Sequence, residues 1–135
     1  MFDLSSLDTI AACNKPFALD IIHPVSQEKT GVLISVVGKD SDIYRERIKA
    51  MANESLARDA ANSRRGKFDP SNIDKMEDKN IDALVAATVG WENVSLNKKE
   101  LEFNAENARL VYKTILPVRE QVLEAINDLE NFMRP

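Results

Sequence analysis

The sequence predicts an α+β fold, predominantly α, in which an N-terminal β-hairpin packs with about four helices. Three observations carry this expectation. Residues 17–23 (FALDIIH) alternate apolar and polar, and residues 32–37 (VLISVV) are β-branched and apolar, as strands are. From residue 40 onward, apolar residues recur at three- and four-residue spacing, the period of an amphipathic helix. The chain has 135 residues, 44% hydrophobic and 30% charged, which suits one domain with one buried core and no more.

Residues 1–14 show no strong period and are left free to be flexible. Phe17, Leu19 and Ile21 then share one strand face. Residues 24–30 are polar and turn-like, too long a connection for a two-residue turn, and the second strand ends at Gly38. The hairpin thus occupies 17–38. A lone hairpin is marginal in water, so this one needs helices, another strand or a neighbouring subunit against it.

Residues 40–133 are expected to be helical. Asp40 or Ser41 caps a first helix running to about residue 63, with Tyr44, Ile48, Met51, Ser55 and Leu56 as its stripe. Gly66, Pro70 and Ser71 mark a break. A second helix over 73–89 presents Ile81, Leu84, Val85 and Thr88, with Gly90 as its left-handed cap and Trp91 sealing its end. Residues 94–103 (VSLNKKELEF) read as a short extended excursion. Asn104 caps a helix through 115, and Pro117 opens a last helix over 118–133 carrying Val118, Val122, Ile126, Leu129 and Met133. The expected core is Phe17, Leu19, Ile21, Ile48, Ile81, Leu84, Trp91, Val122 and Ile126.

Composition narrows the chemistry. The net charge is −4, opposite to the basic footprint of a duplex-binding protein, so no nucleic-acid partner is expected. His23 is the only histidine, which removes multi-histidine metal sites. The four glycines are too scattered for a phosphate-cradling loop. Cys13 is alone and forms no internal disulfide. No run of 18 apolar residues occurs, and no basic region opens the chain, so neither a membrane span nor a secretory signal is expected. These features point to a soluble cytoplasmic protein with no cofactor, no metal and no catalytic motif.

Surface features suggest binding instead. Residues 39–67 hold eight basic and five acidic residues, whereas 68–102 hold four and eight. Either this is a solvated face with local ion pairs, or it matches a partner or a second copy. Arg58, Arg64 and Arg65 form the basic patch that would orient such a partner. On the last helix, Leu123, Phe132 and Met133 lie partly outside the main apolar face and are the candidate contact residues for a homo-oligomer or other partner.

Four segments, in this order, resemble the tail assembly chaperones of long-tailed (siphovirus-type) phages and prophages. PVSQEKTGV at 24–32 is similar to the family's P-x-T-G-E-x-x-G-V connection, and GKDSD at 38–42 to its G-[KR]-D-S approach to the first long helix. AATVGW at 86–91, FNAENA at 103–108, REQV at 119–122 and Asn131–Phe132 carry the rest, so the resemblance spans about residues 15–133. Ser26 and Gln27 replace the usual Thr-Gly, and Asn97 and Lys98 stand where a glycine is common, so different turns are expected at both places. The resemblance implies a non-enzymatic assembly factor of the host cell cytoplasm, absent from the mature virion. It would bind the tape measure protein, recruit major tail tube protein and self-associate. A translational frameshift in many relatives appends a second domain. A structural tail or head-completion protein retained in the particle is the competing expectation.

Overall fold

The computed structural model describes residues 1–65 and 72–133; the side chains at 55, 58–65 and 72–75 also lie outside the described residues. A 3-10 turn (Leu4–Leu7) and α1 (Thr9–Cys13) precede β1 (Phe17–Ile22) and β2 (Lys29–Val36). Then come α2 (Asp42–Arg65), α3 (Asn72–Ala87), β3 (Thr88–Glu92), β4 (Ser95–Leu96) and β5 (Lys99–Glu100). The chain continues through α4 (Ala105–Thr114), α5 (Leu116–Asn127) and α6 (Glu130–Met133). With 54% helix and a small antiparallel sheet, the protein is α+β and predominantly α, as its periodicity predicts.

The hairpin is not the whole sheet. β3 pairs antiparallel with β2, giving the order β1-β2-β3. Leu19 and Trp91 both lie opposite Ile34, so they share one sheet face with it. Residues Ile34, Val36, Ile81, Leu84, Tyr112, Val122 and Ile126 form the centre of the core beneath that face, covered by α3, α4 and α5.

This corrects the reading of 40–133 as wholly helical. Gly90 does not cap α3; it sits within β3 opposite Ser35. The helix ends at Ala87 because Thr88 begins pairing with Val36, and the Thr88 hydroxyl donates back to Leu84 O at 2.7 Å. Trp91 is half-buried on β3, and its indole N–H donates to Leu101 O at 3.0 Å. Its ring meets Phe103 edge-on at 5.2 Å. Residues 94–103 therefore form a hairpin, β4–β5, pinned to the sheet through tryptophan.

Three further expectations change. Residues 1–14 are ordered locally: Asp3 and Asp8 cap the 3-10 turn and α1, and Cys13 is fully buried. The last helix is two helices, since Asp128 leaves the helical conformation and accepts from Glu130 N at 3.0 Å, starting α6. Ile48 is 41% exposed rather than core, because α2 packs chiefly on α3; Tyr44 of the same stripe is half-buried against the core, while Leu56 stands in water. Phe17, Leu19 and Trp91 are half-buried, while Ile21, Ile81, Leu84, Val122 and Ile126 are core as expected.

Caps explain the helix starts. Ser41, 1% exposed, accepts from Tyr44 N, and Asn14 Oδ1 accepts from Asp42 N at 2.9 Å, so α2 is capped from two sides. Asn104 accepts from Asn107 N at 2.8 Å, with Glu106 in the first turn of α4 and Lys113 in its last.

The β4–β5 turn is tight after all: Asn97 and Lys98 have φ of 53° and 66°. Two consecutive left-handed residues make the turn whose twist fits a two-residue hairpin. A side chain there costs about 1–2 kcal/mol, and glycine's greater freedom in the unfolded chain returns part of that. Lys98→Gly should therefore raise stability by about 0.5–1 kcal/mol, seen as a higher urea midpoint at unchanged slope.

Tyr112 supplies a pH handle. Burial pushes its phenol up to about 12. Its hydroxyl lies 2.6 Å from Thr88 Oγ1, whose own proton is engaged by Leu84 O, so Tyr112 is the donor. The folded value lies above the unfolded one, so this stabilisation is complete below about pH 10 and is lost as pH rises toward 12. The loss should approach roughly 1.4 kcal/mol per pH unit in that window. Denaturant midpoints should fall more steeply with pH for the native protein than for Tyr112→Phe; equal slopes would overturn the assignment.

Candidate functional site

An apolar concavity is built by α2, α3 and α5. Its volume is about 630 Å³. Ile81 and Leu84 form its floor at 1% and 2% exposure, because their helical face is the one turned to the core. Three large apolar side chains stand around them in water: Ile48 of α2, Met76 of α3 and Leu123 of α5, at 41%, 62% and 43% exposure. Scattered exposed apolar residues are ordinary, but three converging on one groove make it the candidate binding surface.

Ion pairs tie the helices around the groove together. Arg119 Nη1 donates to Glu77 Oε1 at 2.8 Å, tying α5 to α3 along the rim. Arg47 and Arg109 both engage the Asp82 carboxylate, Arg47 at 3.5 Å, and so tie α2 and α4 to α3. Glu120 lies on the rim beside Leu123. The separations among helices are thus set by side chains that are not themselves on the apolar floor.

A second concavity of about 380 Å³ lies between the β1–β2 loop and α5, with Leu19, Ile22 and Pro24 as well as Asp20, His23 and Gln121 around it. Gln121 pairs there with both backbone groups of Ile22, at 2.9 and 2.8 Å, covering part of the edge of β1. His23 Nδ1 accepts from Val25 N and Ser26 N, which commits that nitrogen to the loop. These residues serve the hairpin. Among the described residues no group of three or more His, Cys, Asp or Glu could hold a metal ion, and no helix is long and apolar enough to cross a membrane.

Of the sequence-chosen contact residues, Leu123 lines the groove. Phe132 is turned onto the fold: its ring meets Phe17 edge-on at 5.9 Å and lies beneath Gly38. Met133 is half-buried on the same short helix. Arg58, Arg64 and Arg65 belong to α2, and their side chains lie outside the described residues. Ile48 and Met76 were missed, the first because its stripe reads as core. The available signal was that α2 carries an apolar stripe longer than any one neighbouring helix can cover.

No family model, curated protein or solved structure matches this chain. The resemblance to tail assembly chaperones rests on the segments quoted above.

Floor and rim should separate in mutagenesis. Leu84→Ala should cost about 2–5 kcal/mol, as for a large-to-small change in a core. Ile48→Asp and Leu123→Asp should each stay within about 0.5 kcal/mol of the native protein. Denaturant titration checks both, and a large loss for either aspartate variant would place that residue in the core.

Proposed function

We propose that the chain is a non-enzymatic tail assembly chaperone of a long-tailed phage or prophage. It acts in the host cytoplasm, covers the tape measure protein and brings tail tube subunits to it. The observation that carries the family reading concerns the two places where this sequence departs from the family's glycines. Gln27 has φ of 62°, and Asn97 and Lys98 have 53° and 66°. These are left-handed conformations that glycine adopts at least cost. The departures therefore keep the backbone shape that the family's glycines favour.

The groove supports the chaperone reading. A long amphipathic tape measure would aggregate unless its apolar stripe were covered. A groove with an aliphatic floor and exposed Ile48, Met76 and Leu123 fits one face of such a helix, with anchors at i, i+3, i+4 and i+7. The surplus of carboxylates in the protein keeps the complex soluble.

Co-expression with the tape measure protein from the same gene neighbourhood tests this. The tape measure protein should be soluble with the native chain and insoluble alone. With Ile48→Asp or Leu123→Asp it should partition as it does alone. Equal solubility without the chain would sink the chaperone reading. Abundant recovery of the chain from purified virions would favour the structural protein instead.

A further inference from the structure

We propose that the carboxylate of Glu120 makes the groove selective for a partner helix whose apolar stripe ends in a lysine or arginine. The inference rests on the groove as the docking site of the proposed function and adds the chemistry of its occupant. Three charged side chains line the groove: Glu77, Arg119 and Glu120. Arg119 is committed to Glu77 at 2.8 Å, so those two charges cancel. Glu120 is exposed, and its carboxylate makes no ion pair or hydrogen bond among the described residues. The lining therefore presents one uncompensated negative charge, and an occupant that answers it is cationic at that point.

That charge stands at one end only. α2 begins where α3 and α5 end, because Val37 N and Lys39 N donate to Ala87 O and Ile126 O. Tyr44, in the first turn of α2, and Leu84 mark this end of the groove. Burial pushes the Tyr44 phenol up, so it remains a neutral hydroxyl. The pair of Glu77 with Arg119, and Glu120 beside it, lie about 15 Å farther along α3. From Leu84 to Met76 the apolar lining covers about 12 Å, or two helical turns, the reach of anchors at i, i+4 and i+7. One further turn brings the next residue on that face, i+11, to Glu120. A lysine or arginine there pairs with the carboxylate beside Leu123, where docking displaces water and strengthens the attraction. A carboxylate at the same place is repelled. Whichever end of the stripe carries the cation thus lies at Glu120, which fixes both register and direction.

Fluorescence anisotropy with two designed helical peptides tests this on the full-length protein. Both peptides carry leucines at i, i+4 and i+7; one has lysine at i+11 and the other glutamate. The native chain should bind the lysine peptide about fivefold more tightly, and the difference should shrink at high salt. Glu120→Gln should bind the two peptides alike, and Glu120→Lys should reverse the preference. Leu123→Asp should bind neither. Position 120 is exposed, so both of its variants should keep the native circular dichroism and urea midpoint. Failure of the native chain to bind either peptide, equal binding of both, or binding that survives Leu123→Asp would overturn the proposal. So would a lysine preference unmoved by Glu120→Gln, which would put the selecting charge elsewhere. Equal binding of both peptides leaves the proposed function standing. A tape measure protein that is soluble without this chain sinks that function and leaves the peptide preference as measured, so the two readings fail separately.

Discussion

Three consecutive backbone N–H groups organise this protein. Val37, Gly38 and Lys39 donate to Ala87 O, Cys13 O and Ile126 O at 2.8, 2.9 and 2.9 Å. All three acceptors lie at helix C-termini, those of α3, α1 and α5. The last carbonyls of a helix have no partner within it, and leaving one buried and unpaired costs roughly 1–3 kcal/mol. One short stretch of chain leaving β2 satisfies three helices at once. Space there is correspondingly tight. A β-carbon on Gly38 would meet Cys13 Sγ at 2.4 Å and Phe132 at 3.0 Å, so glycine is needed at this position for close approach.

The candidate site inherits its geometry from that junction. α2 begins at Asp42, immediately beyond it, with Ser41 and Asn14 fixing its first turn. α3 ends on the junction and α5 reaches it one residue before its end. All three walls of the groove therefore start or finish at one place, and Glu77–Arg119 and Asp82 with its two arginines hold their spacing farther out. Rigid walls matter because a groove that must form on binding gives up part of its affinity to ordering.

What the sequence made legible follows from how local each signal is. Asn104 as a cap, the period of the second helix, and two strands read at 17–23 and 32–37 are set by near neighbours, and they stand, although the second strand begins earlier than read, at Lys29. β3 was not legible, because TVGWE becomes a strand only through pairing with β2 some fifty residues earlier. Gly90 misled for the same reason: a glycine after a helical period usually caps it, but here pairing with Ser35 takes precedence. Beyond the Asp128 break in the last helix, Phe132 meets Phe17 near the other end of the fold, a contact that local pattern does not show. Of the three exposed groove residues only Leu123 was visible, since it stands off the main face of its helix. Ile48 was not, because periodicity shows that a helix has an apolar face but not whether anything covers it.

The junction also dictates when the molecule can close. Its partners are residues 13, 87 and 126, so its last hydrogen bond waits until residue 126 has left the ribosome. Until then the Lys39 N–H has no acceptor to meet, and α2 and α3 exist without their third wall. Ordering is therefore late and collective rather than progressive, as for any contact that joins distant parts of a chain. In a cell making many copies from one message, nascent chains spend that interval with the apolar side of α3 uncovered. The chain is thus itself most vulnerable to aggregation in the moments before residue 126 arrives.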